Sequence, residues 1–154
     1  MSASSRWAGL TILLAQGLLG GCGSSSTAPS PTPRVLQVAG QYQITQQQLT
    51  DTCGGGGQPA SVTGTVTHAA GSNTFSLSDT GGTTFDGSVQ NSGDFAANGT
   101  FGPDSGGQTY TQRLQGRFTT DGFTATLSVH VTPRNCDFTR NWTASKQGAR
   151  NVIP

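Results

Sequence analysis

From residue 35 onward, apolar side chains recur at every second position, the signature of strands with one buried face. Val38, Gly40, Tyr42 and Ile44 share a face of the first segment, and Val62, Gly64, Val66 and His68 share one of the second, with Thr63, Thr65 and Thr67 opposite. Phe75 and Leu77 mark a third segment and Phe85, Gly87 and Val89 a fourth. After Asn91-Ser92-Gly93 come Phe95, Ala97, Gly99 and Phe101, then Tyr110, Gln112, Leu114, Gly116 and Phe118. The last two segments carry Phe123, Ala125, Leu127 and Val129, and Phe138, Arg140 and Trp142. Gly, Asn, Asp and Pro punctuate the intervals, and no stretch has helical periodicity. The pattern predicts about eight strands in an antiparallel meander.

Glycine recurs on the apolar face, at Gly40, Gly64, Gly87, Gly99 and Gly116. Glycine within a strand marks tight bending or close approach, which favours a closed barrel whose interior alternates large and small residues. A two-sheet sandwich is the alternative. A membrane-spanning barrel would turn its apolar residues outward between aromatic girdles; the glycine-rich apolar face and the absence of such girdles count against it. Tyr42, Val62, Val66, Phe75, Phe85, Phe95, Leu114, Phe123, Leu127 and Phe138 are the expected interior.

Composition narrows the function classes. Only 10% of residues are charged, the acids are all Asp, and the net charge is +1. Nucleic-acid binding needs a basic stripe, and none is present. Candidate chemistry is sparse: there is no Glu, the two histidines fall on different strand faces, and no nucleophile or zinc-protease spacing occurs. The glycine run after Cys53 lacks the Lys and helix that a phosphate loop requires. No catalytic residue, metal site or cofactor is expected, and the chain is read as non-enzymatic.

The N-terminus carries a different signal. Arg6 precedes an uncharged, largely apolar run over residues 7–20, too short for a ~20-residue membrane helix and suited to a signal peptide. It ends Leu18-Leu19-Gly20-Gly21-Cys22, which resembles the lipobox of bacterial lipoproteins. The resemblance implies that residues 1–21 are removed and that Cys22 becomes the lipidated first residue. Gly23, rather than Asp, follows, which implies the outer membrane. Residues 22–34 are a Ser- and Pro-rich tether that cannot bury enough surface to order itself; residues 35–148 form the barrel and 149–154 a C-terminal tail. The expected partners are the membrane, through the lipid anchor, and a small apolar ligand or an envelope protein.

Two cysteines remain, Cys53 after the first strand and Cys136 at the start of the last. In a closed meander with an even strand count those positions meet at one end of neighbouring strands, so a disulfide across the seam is expected in an oxidising compartment. Gly40-Gln41-Tyr42 on the first strand, with Arg140 and Trp142 on the last, resembles the base of lipocalin and related calycin barrels. There a Gly-x-Trp packs beneath a cation from the final strand. That resemblance implies a ligand cavity among Tyr42, Val66, Phe85, Leu114, Leu127, Arg140 and Trp142. Three roles follow: a binding or interaction module, a lipocalin-like carrier of a small apolar ligand, or an inhibitor-like or enzymatic role through the 53–58 and 102–108 loops.

Overall fold

The computed structural model describes residues 34–55 and 57–154; Cys22, its signal segment and the tether before Arg34 lie outside the described residues. Eight strands follow one another: β1 Gly40–Asp51, β2 Ala60–Thr67, β3 Thr74–Asp79, β4 Thr84–Val89, β5 Asp94–Phe101, β6 Thr109–Thr119, β7 Gly122–Thr132 and β8 Cys136–Lys146. Each pairs antiparallel with the next, and β8 returns to β1, so the meander closes into a barrel rather than a sandwich. Closure removes the unpaired edges that an open sheet would present.

The apolar face of every strand is inside, and the outer faces carry mostly Thr, Ser, Gln and Asn. Of the ten residues expected inside, eight are buried, and Val62 and Phe138 are partly buried against the same core. Inward glycines let the wall curve where neighbouring strands come closest. Gly87 is the direct partner of Ala97, and Gly116 of Ala125. A Cβ on Gly116 would stand 2.1 Å from Thr124 O and 2.6 Å from Ala125 Cβ.

Several elements run further than their apolar alternation. β1 continues beyond Ile44 through Gln46 and Gln48 to Asp51, broken by a bulge at Leu49 that turns this side chain outward. Backbone pairing with β2 and β8 decides its length, and side-chain polarity does not report it. The disulfide joins Cys53 and Cys136, whose Cα atoms are 5.1 Å apart where β1 finishes and β8 begins. Thr52 extends the seam by donating its N–H to Asp137 O at 2.9 Å.

One end of the barrel, here the lower, is packed shut. Tyr42, Phe75, Phe95, Phe118 and Phe123 fill it, with ring centroids as close as 4.7 Å for Phe95 and Phe118. Leu36 and Val38 enter from the preceding segment, and Gln37 bridges Val152 in the segment that ends the chain. Within residues 149–154, expected as a tail, Asn151, Val152 and Ile153 join this plug, while Ala149, Arg150 and Pro154 are exposed. Asn151 is 4% exposed; its Nδ2 donates to Thr119 O at 2.7 Å and Gly122 O at 3.2 Å. Its Oδ1 accepts from Lys146 Nζ at 2.6 Å, and the Tyr42 hydroxyl is shared between that oxygen (2.7 Å) and Val38 O (2.6 Å).

The Gly-x-aromatic pattern of β1 does meet a cation from β8, but it is Lys146 and not Arg140. Tyr42 lies opposite Lys146 in the register, and Lys146 Nζ stands 5.7 Å from the Tyr42 ring centroid. Arg140 is opposite Gln48, towards the other end. Antiparallel strands force this: the start of β1 can meet only the finish of β8.

Candidate functional site

The upper end differs in chemistry. Here the inward positions are Gln46 from β1, Gln112 from β6 and Arg140 from β8, joined by Thr83 from the β3–β4 turn. Gln46, Thr83 and Gln112 are buried polar side chains, an uncommon choice for the inside of a small barrel. They surround a cavity of about 270 Å³ whose apolar wall is Leu127, Val129, Phe138 and Trp142. An adjoining hollow of about 180 Å³ lies under the 53–57 loop and shares Tyr110, Phe138 and Arg140 with it.

Strand register places these groups. Gln46 is the partner of Trp142 and Gln48 of Arg140 across the seam, while Leu127 pairs with Arg140 and Val129 with Phe138 on the other side. Arg140 Nη1 donates to Gln46 Oε1 at 2.8 Å, and its guanidinium carbon lies 5.1 Å from the Phe138 ring centroid. Gln112 Nε2 donates to Thr83 Oγ1 at 3.4 Å. Trp142 is 1% exposed, packs edge-on to Phe85 with centroids 5.7 Å apart, and has a buried Nε1–H with no partner.

The loops at this end are held by carboxylates. Asp104 accepts from Gly106 N–H at 2.8 Å, Gln108 N–H at 2.9 Å and the Tyr110 hydroxyl at 2.8 Å. The Gln108 N–H above all, then the Tyr110 hydroxyl, holds the Asp104 carboxyl below its ordinary value, and the same bond raises Tyr110. Asp51 accepts from the N–H groups of Cys53, Gly54 and Gly55 at 2.7–3.2 Å. Gly54 and Gly55 thus close on a side chain of their own chain. Arg134 Nη2 caps Cys53 O at 2.9 Å.

Among the residues expected around a cavity, Leu127, Arg140 and Trp142 come together on this one. Tyr42, Val66, Phe85 and Leu114 are at most 2% exposed and belong to the packed interior below it. Gln46, Thr83 and Gln112 were not among the expected residues. Their signal was available in part, since Gln112 sits in the inward phase between Tyr110 and Leu114. A polar residue in an apolar phase marks either a rim or a site.

This chain matches no protein-family model, no curated protein and no solved structure. The reading of the cavity therefore rests on its own residues. The two histidines stand away from it. His68 is buried just beyond β2, its Nε2 2.9 Å from Ser72 O. His130, on the outer face, has Nδ1 2.9 Å from Asp137 Oδ1. Among the described residues, no group of three or more His, Cys, Asp or Glu side chains could share a metal ion.

Proposed function

We propose that this chain is a lipid-anchored binding module of the bacterial cell envelope, non-enzymatic, taking one small molecule at the upper end of its barrel. The observation that carries this reading is the division of the interior. Five aromatic rings close the lower end, whereas buried Gln46, Thr83 and Gln112 ring a cavity of about 270 Å³ at the other. Burying polar groups costs stability unless they are satisfied, so a fold that only needed filling would have placed apolar side chains there. The volume falls just below the ~300–1,000 Å³ usual for small-molecule sites, which limits the occupant to a small molecule. An eight-stranded barrel is wide enough for one such ligand.

Residues 34–39 join the barrel at its closed end, with Leu36 and Val38 buried there. The full chain expressed in a bacterial host should partition with membranes and carry an acyl mass on Cys22, and Cys22→Ser should release it. Native mass spectrometry of the full chain should show a co-purified small molecule. Partitioning unchanged in Cys22→Ser would remove the anchor, and a chain that binds no small molecule would remove the module.

A further inference from the structure

Resting on that reading, the polar groups of the cavity define the chemistry of its occupant. Arg140 lines the inside of the barrel and is half-buried. Among the described residues its side chain hydrogen-bonds one partner, a neutral amide, Gln46 Oε1 at 2.8 Å. Among the described residues no carboxylate lies within ion-pair distance of it, the pairs being Arg117 with Asp94, His130 with Asp137 and Arg150 with Asp121. A guanidinium carries five N–H donors in a fixed fork that matches a carboxylate. Most of that capacity is unspent. Trp142, whose buried Nε1–H has no partner, stands in the wall of the same cavity.

Several acceptors of the cavity are already engaged. Gln46 Oε1 accepts from Arg140, and Thr83 Oγ1 accepts from Gln112. Asp79, the one acid in the wall, accepts the Thr83 N–H through Oδ1 at 3.0 Å. Asp51, in the adjoining hollow, holds the backbone of residues 53–55, and Asp104 holds Tyr110. Arg140 thus brings a positive charge to the cavity with most of its donors unspent, and among the described residues no carboxylate pairs with it.

We propose that the cavity binds a small monocarboxylate with a flat apolar body, its carboxylate on the Arg140 fork and its body against Phe138, Leu127 and Trp142. Within this cavity a second negative charge would face Asp79 with no cation but Arg140 in the wall, which disfavours phosphate esters and dicarboxylates. A long acyl chain has no room, because the interior beneath Trp142 is filled by Phe85, Leu114 and the aromatic plug. Bidentate pairing of Arg with a carboxylate supplies direction as well as charge.

The test uses the full chain, labelled with nitrogen-15, with benzoate as probe and benzamide as its neutral counterpart. The Trp142 indole N–H and Arg140 Nε–H resonances report binding; Trp7 is the only other tryptophan. Benzoate should shift both signals and bind at least tenfold more tightly than benzamide. Arg140→Gln should erase the preference, so that benzoate and benzamide bind alike. Equal affinities in the native chain, or benzoate binding undiminished in Arg140→Gln, would overturn the carboxylate assignment while the binding module stands. If neither probe moves the Trp142 signal and no small molecule co-purifies, both fall. Should Arg140→Gln fail to fold, the benzoate-to-benzamide ratio of the native chain decides alone.

Discussion

Tyr42 links the chemistry of single residues to the fold. Burial raises its hydroxyl well above the ordinary 10.0, with the bond to Asn151 as the opposing influence. Above pH ~10 the unfolded chain releases this proton and the folded chain keeps it, so the stability it contributes is complete below that pH and is lost as pH rises. Each proton held by the folded state alone costs up to ~1.4 kcal/mol per pH unit. Lys146 acts in the opposite sense: partial burial lowers it from 10.5, so its contribution improves as pH climbs through its lowered value. Urea denaturation of Tyr42→Phe between pH 9 and 11 should show a shallower alkaline decline than the native chain. It should also show a constant loss of ~1–3 kcal/mol at neutral pH, because Val38 O loses the hydroxyl donor and Asn151 Oδ1 keeps only Lys146. An unchanged alkaline slope would mean that the hydroxyl is not confined as described.

Among the elements, β5, β6 and β7 depend on glycine for their closeness. A methyl on Gly116 would press against Thr124 O, Ala125 Cβ and Ala125 Cα at 2.1–2.7 Å. Backbone cannot retreat as a flexible side chain would, so the strands must part. Gly116→Ala should lose ~1–3 kcal/mol, the usual cost of overpacking, read by denaturant midpoint. Gly55→Ala, where a Cβ would meet only Asp51 Oδ2 at an ordinary 3.5 Å, should stay within ~0.5 kcal/mol, as surface substitutions usually do. A gain of ~0.4–1 kcal/mol at both positions would mean instead that glycine acts here only through the unfolded chain.

For the whole molecule, the seam between β1 and β8 is closed twice, by nine residue pairs and by the Cys53–Cys136 bond. The bond spans a sequence separation of 83, for which the chain-entropy model gives ~4–5 kcal/mol. Cys53→Ala with Cys136→Ala should therefore lower the denaturation midpoint by a corresponding amount. Amide exchange in the middle of β1 and β8 should stay slow at low denaturant, because the backbone ladder holds the seam without the sulfur atoms. Rapid exchange confined to those two strands would show instead that the disulfide keeps the barrel shut.

The strand number, the inward set and the pairing of Cys53 with Cys136 were legible in the sequence, because each is a local or counting property. A period of two assigns faces without knowing neighbours, and an even meander puts those cysteines at one end. Three things required the closed structure. The cation over Tyr42 is Lys146 because antiparallel register joins the start of β1 to the finish of β8. Asn151 became the centre of the lower plug because only the folded chain brings Tyr42, Thr119, Gly122 and Lys146 around one amide. The cavity lies at the upper end because Gln46, Thr83, Gln112 and Arg140, from different parts of the chain, converge there. Alternation records which face a side chain takes; its height in the barrel, and therefore its companions, depends on register, which the strands settle only by pairing.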